Sequence, residues 1–435
     1  MNQLTIFEFD ALVSGTASNE IPQRVFNWLE TLCLRNDEGS PQWLRLTQRD
    51  GRRAIQVTSY VGVLRAPCGF QIEVLPKIGR TVVKSKKNED EARCLLIQML
   101  KCMVGFRNIQ TSDAELLATR MPLLEIFINQ FLLSVQTIVK RGLRSDYVGT
   151  QENLPALRGK TLISQHIRLN TFRRDRFFTE HELFTANRPE NRLLHTSLHK
   201  VLTMTRSQAN QRLARELCFV FDEVPESSNI LRDIENIRLD RGMNYYEHAL
   251  EWAKLILSGL SPLTGTGTNQ APSLLFPMEA LFEAYVEKHL RKQLNTGYIL
   301  KAQARSKYLV MHQNQNWFQL KPDLLIKDLK NQNVLVLDTK WKLLDATKNN
   351  SREKYQLSQS DFYQLFAYGH QYLLGKGDVI LVFPKTDVFN KPLQVFNFTD
   401  TGNYRLWVLP FCLMSRKLII PNEVSYASIL AMRTT

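Results

Sequence analysis

Two compact apolar runs, Val334-Leu335-Val336-Leu337 and Val379-Ile380-Leu381-Val382-Phe383, constrain the fold of this chain more than any other feature in it. Such dense β-branched and aliphatic runs read as buried strands. The polar turn Lys330-Asn331-Gln332-Asn333 precedes the first run, and Leu324-Leu325-Ile326 lies before that turn, so a hairpin is expected there. The second run ends at Pro384 and is apolar enough to sit centrally in a sheet. Between the two, the segment from Asp361 to Tyr368 reads as a helix, with Ser358 three residues before Asp361 in the arrangement of a capping box. The predicted order is strand, strand, helix, strand.

The polar residues at the ends of these elements carry the chemistry. Lys321-Pro322-Asp323 opens one strand and Asp338-Thr339-Lys340 closes the next. Side chains alternate along a strand, so Asp338 and Lys340 share a face, and the hairpin can bring Asp323 beside them. Two converging carboxylates suit Mg2+, which takes oxygen ligands, keeps several waters and is commonly completed by substrate phosphate. Mn2+ is the expected substitute. Lys340 is placed to orient a nucleophile or offset developing negative charge. Asp-x-Lys alone also fits an ordinary strand with solvated end charges; its combination with Pro322-Asp323 and the apolar strand favours phosphodiester chemistry.

Two further elements add candidates. Gln364 and Tyr368 stand four apart on one helix face, where they could bond a DNA phosphate or the acidic residues. A surface Gln beside a half-buried Tyr is the plainer account. Upstream, Phe276 to Glu287 reads as a helix with Pro277 near its start and an apolar face of Leu281, Phe282, Tyr285 and Val286. Glu283 on its flank is a candidate third acidic ligand, although an exposed helical glutamate is the commoner case.

Together, Phe276-Pro277-Met278-Glu279 with Leu281-Phe282-Glu283, Lys321-Pro322-Asp323, Leu337-Asp338-Thr339-Lys340-Trp341, and Gln364 with Tyr368 resemble the PD-(D/E)xK nuclease superfamily. Within it the chain resembles the McrC family of nuclease subunits from modified-cytosine-dependent McrBC restriction systems. Ile72 to Gly79, Leu154 to Lys160, Asn191-Arg192-Leu193-Leu194 and Tyr245 to Leu250 look like landmarks of that family in the expected order. One departs from the pattern: Ala186-Asn187 stands where an acidic residue is expected before Asn191-Arg192.

The resemblance implies a Mg2+-dependent endonuclease acting on double-stranded DNA, with Asp323, Asp338, Lys340, Gln364 and Tyr368 catalytic and Asp323, Asp338 and Glu283 on the metal. It implies cleavage only in complex with a McrB-like AAA+ GTPase oligomer that binds the modified site and translocates. By the same resemblance the first part of the chain engages that ring. Arg52 and Arg53, at the tip of a hairpin turned at Asp50-Gly51, are the candidate residues for acting on the partner's nucleotide site, although a solvated turn explains them as well. No nucleotide is expected on this chain itself. Gly159-Lys160-Thr161 would need a glycine at position 154, where Leu stands, and Gly265-Thr266-Gly267-Thr268 lacks the lysine.

Composition agrees with a polyanionic partner. A formal charge of +14 over 435 residues favours phosphate neutralisation and counterion release, although a basic chain can also bind nothing. Arg173, Arg174 and Arg176, beside Phe172, Phe177 and Phe178, form a basic and aromatic patch able to grip duplex backbone, or else a solvated face over core phenylalanines. Six scattered cysteines without a C-x-x-C suggest neither a zinc ribbon nor a disulfide framework. His195 and His199 lack the Glu of a zinc protease and read as structural. Glu8 and Asp10 interrupt the first apolar run, so no secretory signal is expected, and Glu125, Asn129, Gln130 and Gln136 spoil Met121 to Val139 as a membrane span. A bacterial or archaeal cytoplasmic protein without a membrane partner is the expectation.

The expected fold is multidomain α/β in three parts: a β-rich N-terminal domain over 1–105, a mainly helical connecting region over 106–260, and a C-terminal PD-(D/E)xK restriction-endonuclease-like α/β core over 261–435. The first includes a strand from Leu4 to Val13 and a helix from Pro22 to Leu34; the second includes helices from Asp113 to Arg141 and Tyr245 to Leu257. Ser258 to Ser273 reads as the linker. Two other functions fit the same residues: a non-catalytic adaptor joining an AAA+ motor to DNA, and a nuclease that cuts without a motor. The intact Asp323, Asp338 and Lys340 speak against the adaptor.

Overall fold

The computed structural model describes residues 3–17, 19–34, 43–77, 86–103, 122–258, 273–330, 332–399 and 404–421. The linker from 259 to 272, the landmark residues Ile78 and Gly79 and the start of the helix expected from Asp113 lie outside them. The chain forms two compact units. One is built from Met1–Gly62, Gln71–Arg120 and Leu275–Thr435, the other from Val63–Phe70 and Met121–Leu274. The division into 1–105, 106–260 and 261–435 follows the order of segments along the chain. In space, N-terminal and C-terminal segments share a unit.

The centre of the first unit is a seven-stranded sheet in the order Tyr298–Ala302, Leu324–Asp328, Asn333–Thr339, Gly377–Pro384, Tyr404–Cys412 and Phe396–Asn397, with Lys417–Leu418 on Tyr404–Cys412. Leu324–Asp328 pairs antiparallel with Asn333–Thr339, with Leu324 opposite Leu337. Asn333–Thr339 and Gly377–Pro384 pair in parallel, with Val336 opposite Val379. A parallel neighbour needs a crossover, and the helix Gln359–Leu373 supplies it. That helix covers one sheet face, where Leu365, Tyr368 and Tyr372 pack with Leu325, Val336, Val379 and Leu381. On another part of the sheet, Phe282 and Tyr285 from the helix Met278–Gln293 set their rings 6.2 and 6.1 Å from Phe411. Both central strands are therefore shut from water, which is why their sequences are continuous rather than alternating.

Three local expectations change in this unit. Phe276 lies in the strand Ser273–Pro277 and the helix starts at Met278, because the Pro277 ring holds the residue before it extended. Ser358 occupies the N-cap position but makes no capping bond; its hydroxyl meets Ser360 Oγ at 2.6 Å instead. The strand expected from Leu4 to Val13 is two, Gln3–Phe7 and Ala11–Leu12, interrupted where Phe9 turns to a φ of 62°. The hairpin of Leu44–Arg49 and Arg52–Val57 does turn at Asp50-Gly51, both at positive φ, as a tight turn matching strand twist requires.

The second unit is mainly helical, with Leu123–Arg141, Pro189–Met204, Gln208–Val220 and Glu247–Ser258 the longer helices. It also holds a three-stranded sheet of Asp146–Leu154, Phe177–Thr185 and Lys160–Thr161, absent from the helical expectation. Its apolar side chains face solvent on adjacent positions, Tyr147 with Val148 and Leu183 with Phe184, so no period of two marks it as half-buried. Leu123–Arg141 is long and apolar enough to cross a membrane. Within the unit, its Glu125 carboxylate accepts from Thr205 Oγ1, Arg206 N and Asn210 Nδ2 at 2.6, 2.6 and 2.8 Å. His195 bonds Val224 O through Nδ1 at 2.6 Å and faces His199, as structural histidines do.

Candidate functional site

Asp323 directly precedes Leu324, and Asp338 directly follows the opposite residue Leu337, so antiparallel register places the two carboxylates at neighbouring strand ends. Lys340 continues the edge beyond Asp338: its N–H donates to Val382 O at 2.9 Å. The alternation of the strand then aims Asp338 and Lys340 the same way, and Lys340 Nζ lies 2.7 Å from Asp338 Oδ2. The crossover helix adds the rest. Gln364 Oε1 accepts from Lys340 Nζ at 3.1 Å, Gln364 Nε2 donates to Tyr368 OH at 2.7 Å, and Tyr368 OH donates to Lys321 O at 3.0 Å. An ion pair followed by three hydrogen bonds thus runs from Asp338 through Lys340, Gln364 and Tyr368 to the residue two before Asp323.

The seat of that helix is tight. A Cβ on Gly369 would fall 1.8 Å from the Tyr404 hydroxyl oxygen, and Tyr404 OH donates to Leu365 O at 2.5 Å, beside Gln364. Only glycine lets the helix sit this close.

The carboxylates differ in their partners. Asp323 Oδ2 accepts from both the Thr339 N–H and its hydroxyl, each at 2.7 Å. Asp338 is 1 % exposed, and its Oδ2 has the Lys340 ammonium as charge partner but no well-aligned hydrogen-bond donor. Burial and the neighbouring Asp323 charge raise Asp338 to about 7, against the pull of Lys340. Burial raises Asp323 as well, opposed by Thr339. Lys340 is raised too: burial disfavours its charge, but Asp338, Asp323 and Asp361 outweigh that. Two acids that resist shared ionisation, with one ammonium against them, form a place where added positive charge is favourable.

Glu283 is half-buried on the helix Met278–Gln293, and burial, then the Asp323 charge, raise it to about 7. It therefore lies within electrostatic reach of both aspartates. Gln303 Nε2 donates to Glu283 Oε1 at 3.1 Å, and the Gln303 N–H donates to Asp323 O at 2.7 Å. Among the described residues no three His, Cys, Asp or Glu side chains stand together as a ready-made metal cage.

Sequence reasoning missed Gln303, Thr339 and Glu8. Gln303 sits at a φ of 45°, outside any pattern. Thr339 lay inside the motif and offered a donor. Glu8 is 1 % exposed; it accepts from the Lys77 N–H at 2.8 Å and from Trp341 Nε1 on both oxygens at 3.0 Å. Burial raises it to about 8. Trp341 follows Lys340, and its ring packs 5.4 Å from Phe282, next to Glu283. No sequence signal connects positions so far apart.

The remaining candidates lie elsewhere. Arg52 and Arg53 follow the Asp50-Gly51 turn, exposed, and pair with Glu20 at 3.0 Å and Glu30 at 3.3 Å. Arg173, Arg174 and Arg176 belong to the second unit, in the exposed turn between the helix Ile163–Asn170 and the strand Phe177–Thr185. Phe172 beside them is 97 % exposed, so it is no part of a core, whereas Phe177 and Phe178 are half-buried.

Comparison with known proteins gives a family and a similar fold. A family described as McrBC 5-methylcytosine restriction system component matches residues 55–384. A chain in the refined half-complex from the tetradecameric assembly of Thermococcus gammatolerans McrB AAA+ hexamers with bound McrC is similar at 19% identity and a TM-score of 0.66, over 96% of each chain. A chain in the cryo-EM structure of the Thermococcus gammatolerans McrBC complex is similar at 21% identity and a TM-score of 0.46, over 66% of this chain and 86% of that one. No curated protein matches.

Proposed function

The chain belongs to the family of McrBC 5-methylcytosine restriction system components, and from that premise we propose that it is the DNA-cutting subunit of a GTP-dependent restriction complex. The observation that carries the reading is Asp338: a buried carboxylate beside a second carboxylate, with the Lys340 ammonium as its charge partner. A fold with no chemistry to perform gains nothing from such a cluster.

A divalent cation fits these residues. Asp323 and Asp338 would hold it, with Glu283 reaching it directly or through water. Among the described residues the side chains form no complete cage, and the remaining positions suit water and substrate phosphate, as Mg2+ prefers and Mn2+ accepts. When bound, the cation would supply a Lewis acid for the phosphoryl oxygen and a more acidic water.

The chain's own residues do the positioning. Lys340 keeps its proton beside Asp338, so its ammonium is available to offset charge developing on the scissile phosphate. Gln364 accepts from Lys340 and limits the positions that ammonium can take. Tyr368 holds Gln364 in that orientation and is itself tied to Lys321 O, which couples the lysine to the loop carrying Asp323. Thr339 fixes the Asp323 carboxylate with two donors. Each acts on geometry that a rigid sheet end already provides.

The partner follows from the company this fold keeps. The similar chain with a TM-score of 0.66 comes from an assembly of McrB AAA+ hexamers with bound McrC, and a McrB-like AAA+ GTPase is the partner proposed here. Double-stranded DNA is the substrate, with Arg173, Arg174 and Arg176 as backbone contacts, and Arg52 and Arg53 as contacts to the ring. The test is cleavage of cytosine-modified and unmodified plasmid by the wild type and by Asp338→Ala, with and without the GTPase and GTP. Cutting only by the wild type, and only with partner, GTP and modified DNA, is expected. Wild-type cutting without the partner would leave a motor-independent nuclease, and no Asp338-dependent cutting by an assembled complex would leave an adaptor.

A further inference from the structure

Between Glu287 and Asp323 the chain contains no Asp or Glu, while Lys301, Arg305, Lys307 and Lys321 fall in that span. Within it, Lys307–His312 and Gln315–Leu320 form a two-stranded ribbon of their own, separate from the main sheet. Two strands alone are marginal in water, so a ribbon of this kind persists only when anchored. The anchor is at its base: Tyr372 OH contacts both Ala304 O and Leu320 O at 3.1 Å, and Tyr372 itself is buried in the core. Leu320 is three residues from Asp323, so the ribbon rises from the rim of the acidic site.

The outer part of the ribbon carries large apolar side chains that none of the described residues covers. Met311 is 71 % exposed and Phe318 67 %, with Leu309, Val310 and Trp317 also exposed. The pairing keeps one register throughout, with Tyr308 opposite Gln319 and Val310 opposite Trp317, so Leu309 and Phe318 stand between those two pairs. There Phe318 takes a φ of 57°. A bulky aromatic residue rarely adopts this left-handed conformation, and here the side chain remains largely in solvent. A ribbon beside an acidic site, presenting an exposed ring in a strained conformation and carrying Arg305, Lys307 and Lys321 at its base, calls for a polyanion that also offers apolar surface.

We propose that the ribbon 307–320 is a DNA-groove element of the cutting unit, with Phe318 and Met311 contacting bases and sugars while Arg305 and Lys307 neutralise phosphates next to the scissile bond. This rests on the DNA-cutting reading of Asp323 and Asp338. A two-stranded ribbon fits the width of a duplex groove, and apolar side chains at its surface can press on the base stack. An acidic protein surface would satisfy the lysine and arginine but has less use for a strained aromatic ring.

The test is duplex binding by the full chain without divalent cation, so that no bond is cut, at several salt concentrations. Met311→Ser with Phe318→Ser should weaken binding by about tenfold with an unchanged salt slope. Arg305→Ala with Lys307→Ala should lower the slope by about two. Phe318→Gly is the sharper variant, because relief of the left-handed conformation should raise Tm while affinity falls. Unchanged DNA affinity in the serine variant, or wild-type binding too weak to detect with and without the partner, overturns the proposal. Loss of partner association with DNA affinity intact also overturns it and makes the ribbon a protein-docking element. Cutting that survives Asp338→Asn would sink the nuclease reading and leave the binding result standing.

Discussion

Glu125 and Asp338 are both buried carboxylates, one in each unit, and their surroundings are opposite. Glu125 receives a hydroxyl, a backbone N–H and a side-chain amide within 2.8 Å, so every direction around it is used to join Leu123–Arg141 to the start of Gln208–Val220. Asp338 has one charge partner, Lys340, and a second carboxylate as neighbour. Burial by itself therefore does not mark function. A buried acid with complete partners holds a fold together; one with incomplete partners stores unfavourable electrostatics that a ligand can relieve.

That contrast can be broken most directly by mutation. Asp338→Asn should reduce DNA cutting by about a thousandfold while Tm stays level or rises, since the variant relieves repulsion with Asp323. Glu125→Ala should do the reverse, lowering stability by about 2–4 kcal/mol as its donors lose their acceptor, in a denaturant titration of the full chain. Equal stability losses in the two variants would erase the distinction.

Protons sharpen it further. Asp338 and Glu283 both titrate at about 7 in the cation-free site, so a divalent cation must displace protons below that pH. Its apparent affinity should climb with pH up to about 7 and level off above, with proton release seen by calorimetry in buffers of different ionisation enthalpy. A flat affinity from pH 6 to 8 would remove these acids from the ligand set.

The smallest effect concerns Glu8. A carboxyl that keeps its proton to about pH 8 when folded, against an ordinary 4.5, contributes stability that is full below 4.5 and lost as pH climbs through 8. The wild type should therefore lose Tm between pH 5 and 9 relative to Glu8→Gln, which has no proton to lose. Parallel Tm curves would show that Glu8 is not held neutral.

Much of the sheet was legible because its signals are local. Val334 to Leu337 and Val379 to Phe383 are strands buried on both faces, and the segment from Asp361 to Tyr368 between them is helical as expected. The placement of Asp338 and Lys340 on one face needed only the alternation of a strand. Errors came where neighbours override propensity. Ser358 had the right spacing for a capping box, yet its hydroxyl found Ser360 instead. The strands Asp146–Leu154 and Phe177–Thr185 expose adjacent apolar residues and so carry no alternation to read. Gln303 reaches Glu283 from a backbone conformation that no pattern announces.

By itself the sequence determined which side chains could meet along one element or across one tight turn: Asp338 with Lys340, Gln364 with Tyr368, and Asp323 with Asp338 through a hairpin. Periodicity and turn chemistry act over a few residues, and those pairs lie within their reach. Only the tertiary structure decided that Glu8 bonds Trp341, that Gly369 lies against Tyr404, and that N-terminal and C-terminal segments form one unit. These contacts are set by how the buried faces of distant elements pack, and the space left between them exists only after the whole chain has folded.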